Sequence, residues 1–256
     1  MTADNYTELN SKVVNRWTEG GWEWGKPITH ETYEAARRGK WDVLLTPTKP
    51  VPHEWLPALK DAKLLGLACG GGQQMPIFTA LGADCTVLDF SDAMLENDRL
   101  VAERECYDIN IVKADITKRL PFENCAFDII FHPVSNCYIE DVYHVWNECF
   151  RVLKPGGFLL AGCDNGFNFL FDSYDRPLTI QNTYPFNPLK NPAQMQKLIA
   201  DDDGIQFGHS IDEQIGGQLK AGFTLTDVFE DFDTGAVPGD YPSYWATRSV
   251  KPEGAR

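Results

Sequence analysis

Leu64-Leu65-Gly66-Leu67-Ala68-Cys69-Gly70-Gly71-Gly72 is the stretch on which the fold turns. An apolar run from Lys63 to Ala68 breaks into consecutive glycines, and a helical apolar pattern continues through Leu81. The run reads as a buried strand, and the segment after the glycines as a helix. Glycines at such a junction let backbone approach a ligand where side chains would clash. Taken alone, the same glycines serve equally well as a tight strand–helix turn.

Working outward, Cys85 to Phe90 reads as a second strand, and Ser91 as the N-cap of a helix running through Met94, Leu95 and Leu100. Ile109 to Ala114 forms a third strand and Phe127 to Phe131 a fourth. A helix from Asp141 to Leu153 is stopped by Lys154-Pro155-Gly156-Gly157, and Phe158 to Cys163 is a fifth strand. A helix from Ser210 to Ala221 precedes a strand from Phe223 to Glu230 and a last one near Tyr244 to Val250. This alternation predicts a doubly wound α/β fold: a mostly parallel, seven-stranded sheet with helices on both faces. Such sheets bind ligands at the carboxyl ends of their strands. Asp89 stands at the second of these ends, where a carboxylate accepts both hydroxyls of a ribose, and Asp115 stands at the third. Asp115 is placed to accept from an adenine amino group, with Ile116 against the ring. Each also has a plainer reading, as a turn or helix-start aspartate. Three such features on three successive strand ends argue against coincidence.

Residues 63–163 resemble the class I, Rossmann-like S-adenosylmethionine methyltransferase core, particularly its bacterial small-molecule branch. The resemblance rests on the glycine stretch above, Val87-Leu88-Asp89-Phe90-Ser91, Ala114-Asp115, Leu120-Pro121-Phe122 before Phe127-Asp128-Ile129-Ile130-Phe131, and Arg151-Val152-Leu153-Lys154-Pro155-Gly156-Gly157. It implies S-adenosyl-L-methionine as cofactor, held by Ala68, Gly70, Gly72, Gln73, Gln74, Asp89, Phe90, Met94, Ala114, Asp115, Ile116 and His132. Two departures stand out. The family's acid, two positions before the first glycine of the turn, is here Gly66, and that first glycine is Ala68. Gln73 and Gln74 are therefore expected to anchor the methionine end, although polar residues are also ordinary at a helix start. The runner-up readings are a nucleotide-dependent oxidoreductase and a non-catalytic S-adenosylmethionine-binding protein. The oxidoreductase fits poorly because its glycine turn belongs near the start of a chain and gives Asp115 no role.

The flanks are expected to close the site. Residues 1–60, rich in Trp and ending in the proline-studded Thr46–Pro52 passage, read as an N-terminal helical lid and connector to a core spanning 61–256. Trp22, Trp24 and Tyr33 either close over the cofactor or anchor a helix. Residues 164–208 lose the alternation and carry Phe167, Phe169, Phe171, Tyr174, Tyr184, Phe186 and Phe207, which suggests a substrate cap inserted after the fifth strand. His132, at the fourth strand end facing the methyl group in the family, and His209, after the insert, are the candidate catalytic residues. Both have a structural alternative: a hydrogen-bonded histidine beside the Pro133 turn, and a surface-loop histidine.

A net charge of −14 disfavours a nucleic-acid partner, since phosphate backbones would be repelled. The fourth strand end also lacks the Asp/Asn-Pro-Pro-aromatic motif of DNA amino-methyltransferases. Seven scattered Cys, with no metal-type pairing, fit reduced thiols in a cytoplasm and no metal site. Neither a signal peptide nor a membrane span is expected. The expected partner is a small-molecule acceptor. Its identity, the atom methylated and the oligomeric state have no signature in the sequence.

Overall fold

The computed structural model describes residues 6–56, 58–171, 178–232 and 241–254. Tyr174, within the insert, lies outside them.

The sheet contains β1 (Lys63–Leu67), β2 (Asp84–Asp89), β3 (Asn110–Lys113), β4 (Phe127–His132), β5 (Leu153–Asp164), β6 (Thr224–Phe232) and β7 (Pro242–Val250), in the order β3-β2-β1-β4-β5-β7-β6. β1 to β5 pair in parallel, and β7 runs antiparallel between β5 and β6. The expected doubly wound, mostly parallel sheet is therefore present. Its strand order reverses between β1 and β4, which opens a crevice at the carboxyl edge.

Period-two alternation splits the core between the two faces. Leu64, Val87, Ile129, Phe131 and Leu160 face α3 (Gln74–Ala80) and the N-terminal connector. Leu65, Leu67, Leu88, Ile130 and Leu159 face α5 (Val142–Val152), whose Val145, Trp146 and Cys149 are fully buried. Such strands are apolar on both sides because helices cover both faces.

Ahead of the sheet come α1 (Tyr6–Glu19), a short 3-10 turn at Glu23–Gly25 and α2 (His30–Arg37). α1 packs along α4 (Asp92–Glu105) and reaches the end of the insert. There Asn10 donates to the Ile205 carbonyl at 2.9 Å and accepts from its N–H at 2.7 Å, with no exposure to solvent.

Two expectations are corrected in detail. The insert is not wholly irregular. It carries α6 (Pro192–Ala200), whose Asn191 side chain accepts from the Ala193 and Gln194 amides and whose first turn begins with Pro192. This asparagine–proline start was readable in the sequence, but the surrounding aromatics, glycines and prolines masked it. The helix expected from Ser210 is a π-turn at Asp212–Gly216 leading into α7 (Gly217–Ala221). Among the described residues, no helix is long and apolar enough to cross a membrane.

Candidate active site

The carboxyl edge of β1, β2, β4 and β5 opens into a cavity of about 840 Å³. That volume suits a nucleoside-sized cofactor together with a small second ligand. Backbone forms its floor. Ala68 (φ +47°) and Gly71 (φ +106°) occupy the left-handed region, which turns the chain sharply from β1 into α3. A Cβ on Gly70 would lie 2.8 Å from Met94 Cβ and 3.1 Å from Asp89 Oδ2, so only glycine fits.

Asp89, at the tip of β2, lines the cavity beside this turn. Its Oδ2 accepts from the Gly70 N–H (3.1 Å) and its Oδ1 from the Ser91 N–H (2.9 Å). Burial pushes its pKa up, while the Ser91 and Gly70 amides oppose the shift. Two backbone donors leave acceptor capacity on the carboxylate, since each oxygen offers two lone pairs. That spare capacity, facing a cavity, fits the two hydroxyls of a ribose. Phe90 and Met94 line the same wall, and the Ser91 side chain caps α4 by accepting from the Met94 N–H.

The N-terminal segment lies against this floor. Trp22 and Trp24 line the cavity. Gln73 Nε2 donates to the Glu23 and Lys26 carbonyls at 2.7 and 3.1 Å, and Asn97 Nδ2 donates to the Gly25 carbonyl at 2.6 Å. Gln74 Oε1 accepts from the Leu44 N–H at 3.2 Å. Both glutamines border the cavity, but these bonds commit them to holding the N-terminal segment and connector. Tyr33 is buried against Tyr107, ring stacked on ring, and so anchors a helix instead of facing the cavity.

At the third strand end, the Ala114 N–H donates to the Asp89 carbonyl, and Asp115 Oδ1 accepts from the Thr117 amide and hydroxyl. Ala114, Asp115 and Ile116 thus lie next to the cavity without lining it. Gly72 is likewise behind its wall.

The histidines are placed away from the cavity. His132 is fully buried edge-on to Trp146; its Nδ1 donates to the Leu67 carbonyl at 2.8 Å, and its Nε2 is hydrogen-bonded to the Asn136 side chain. Burial lowers its pKa, against the opposing pull of the Leu67 carbonyl and the Asn136 side chain. His209 is also buried, and its Nε2 donates to the Ile139 carbonyl at 2.8 Å. This histidine helps hold the Glu213 carboxyl down at about 2. Neither ring lines the cavity, and His209 is not the surface-loop residue of its plainer reading.

The wall after β4 belongs instead to Pro133, Val134, Ser135, Cys137 and Tyr138. Opposite them the insert contributes Phe169, Phe171, Phe186 and one face of α6, with Asp164 and Tyr244 at the strand ends. Phe169 stacks on Phe186 at 5.5 Å. The connector's Leu44–Pro47 and the α6 face were not foreseen. The first lies in a linker whose prolines mark it only as extended, and the second depends on how a distant helix folds back.

Residues 65–161 match the methyltransferase domain family. The uncharacterized methyltransferase YbaJ of Bacillus subtilis is 41% identical over 247 residues, covering 94% of this chain and 97% of that protein. An S-adenosylmethionine-dependent methyltransferase from Mesorhizobium loti superposes with a TM-score of 0.60 at 19% identity, over 77% of this chain and 94% of its own. A Listeria monocytogenes protein of the same description gives 0.58 at 18% identity, over 78% and 95%. With the relationship to YbaJ running almost end to end and the glycine turn and Asp89 meeting in one cavity, the chain belongs to the class I S-adenosylmethionine-dependent methyltransferases.

Proposed function

We propose that this enzyme methylates a small, partly apolar or aromatic molecule held beneath the insert. The observation that carries the reading is the continuity of one cavity, from the glycine turn and Asp89 to Phe169, Phe171 and Phe186. When bound, S-adenosylmethionine supplies an electrophilic methyl group on a sulfonium. The chain's own residues have three tasks: holding the cofactor, aligning the acceptor and excluding water.

Asp89 takes the ribose hydroxyls, with Phe90 and Met94 along the nucleoside and Ala68 and Gly70 giving backbone access. Ala114, Asp115 and Ile116 form the outer edge of this half, next to Asp89. Trp22 and Trp24 form a lid, and residues 164–208 a cap. Neither His132 nor His209 serves as a base in this reading, since both are enclosed and hydrogen-bonded. A base is required only for an acceptor that arrives protonated. Among the described residues, Asp164, Asp201 and Asp203 border the acceptor half against one lysine, Lys197, which favours neutral or cationic acceptors over anions. The same acidity weighs against nucleic acid, and the scattered free thiols suit a cytoplasmic setting. The oxidoreductase and non-catalytic readings have no support in the family relationship.

The test is turnover: purified enzyme with S-adenosylmethionine and a panel of small amines, phenols, thiols and carboxylic acids, scored by S-adenosylhomocysteine release. Methylation of a neutral or cationic aromatic member is expected. Turnover confined to nucleic acid or protein would overturn the proposal.

A further inference from the structure

The family places an acid on β1 at the position of Gly66, and this chain has none. A side chain there would have to displace Met75. A Cβ on Gly66 would lie 2.5 Å from Met75 Sδ and 3.2 Å from Cys69 Cβ, because fully buried Met75 of α3 fills that space. A carboxyl nevertheless reaches the same turn from the opposite side. The buried stripe of α4 is Met94, Leu95, Asp98 and Val101, the i, i+4, i+7 face that packs inward. Asp98 stands where an apolar residue would cost least, fully buried, and its Oδ2 shares the Gly71 N–H, at 3.1 Å, with the Met94 carbonyl at 3.0 Å. The Gly72 amide also favours its charged form. Its Oδ1 has no hydrogen-bond partner among the described residues. A buried carboxyl half satisfied in this way destabilises the fold unless the contact it does make is needed.

We infer that Asp98 is the acid of the glycine turn, supplied from α4 instead of β1, and that it fixes the backbone at Gly71, and through it the neighbouring Gly70 and Gln73 that line the cavity, without itself touching the cofactor. The inference rests on the proposed cofactor role of the turn. Asp98 does not line the cavity, so it acts only through the backbone it holds. The turn is then gripped from two sides, with Asp89 on Gly70 and Asp98 on Gly71.

The groups facing Asp98 favour its neutral form. Burial and the Asp89 carboxylate push its pKa well above the usual range, against the opposing pull of Arg99 on its own helix. Cys69, Cys85 and Tyr107 share this interior, and their pKa values are also raised. A protonated carboxyl and a carboxamide have the same shape, each with one acceptor and one donor end. Asparagine should therefore replace Asp98. Leucine, with the same branching but no acceptor, should fill the space and leave the turn held only by Asp89 on Gly70 and the Met94 carbonyl on Gly71.

The experiment titrates wild type, Asp98→Asn and Asp98→Leu with S-adenosylhomocysteine by calorimetry, alongside thermal melts and amide exchange of residues 70–73. Asp98→Asn should bind within about threefold of wild type. Asp98→Leu should melt no lower than wild type yet bind about tenfold or more weakly, the loss of one hydrogen bond to a buried carboxyl. Its Gly71 amide should also exchange faster. A merely structural role would move melting and not this split. Overturning results are Leu binding within threefold of wild type, Asn binding as weakly as Leu, or a wild-type Gly71 amide that exchanges like an open loop. Absent binding by the wild type would sink the cofactor reading instead, with the Gly71 exchange still deciding the Asp98 contact.

Discussion

At one end of the cavity stand Ala68–Gln74 and Asp89, backbone and one carboxylate fixed between β1, β2 and α4. At the other stand residues of the 164–208 insert, aromatic side chains carried on a 3-10 turn and loops beside one face of the short helix α6. The first end is specified locally: a glycine, a strand tip and a capped helix start leave little freedom. The second is specified by packing at a distance, through Phe169 on Phe186 and the Asn10 bridge from α1 to Ile205. A cofactor shared across a family suits a site of the first kind. An acceptor that differs between members suits the second, because side chains on a loop scaffold change without disturbing the sheet.

If the two ends are separable, lesions at each should have separate signatures. Gly70→Val should be the most severe. Its side chain meets Met94 and Asp89, and S-adenosylhomocysteine affinity should fall by on the order of 100-fold or more. Calorimetry on a variant with a normal circular dichroism spectrum and melt checks this. Phe169→Ala should lower kcat/KM for an identified acceptor by about tenfold, the usual scale for truncating a contact aromatic. Affinity for S-adenosylhomocysteine should stay within about twofold of wild type.

Asn10→Ala sharpens the comparison differently, because it strips two buried partners from Ile205 and loosens the insert. Denaturant unfolding should report about 1–3 kcal/mol lost. The smallest expected effect is a pH-dependent one. A carboxyl whose folded pKa is raised contributes its full stability below the ordinary carboxylate value and loses it as pH climbs towards the folded value. Asp98 is such a group. The melting temperature of Asp98→Asn should therefore match wild type near about pH 4. It should gain on wild type as pH rises towards neutrality. A constant offset across pH would mean that Asp98 is ionised in the fold.

Much of the first end was legible in the sequence because its signals are short-range. The Gly70–Gly72 run, Asp89 after Val87-Leu88, and Ser91 as a cap each stand at a strand end or helix start that a few neighbouring residues define. Asp98 was not legible: an aspartate on a helix surface and one aimed at a glycine turn look alike until the helix is rotated into place. Gln73 and Gln74 line the cavity, but their amides are bound to residues 23, 26 and 44, contacts with no local trace. His132 and His209 show the limit from the other side. A strand-end histidine draws attention by its chemistry, yet burial and paired ring nitrogens make both of them packing residues. For the insert, composition disclosed the aromatics, while the α6 face that completes the wall depends on the chain folding back.

The most direct measurement compares S-adenosylhomocysteine binding by wild type, Asp89→Ala and Phe169→Ala in one calorimetric series. The separation of the two ends predicts one-site binding by wild type and Phe169→Ala. Asp89→Ala should bind roughly ten- to a hundredfold more weakly, the cost of a lost hydrogen bond to a charged group. Binding that is indifferent to Asp89, or that falls as far with Phe169 as with Asp89, would contradict it.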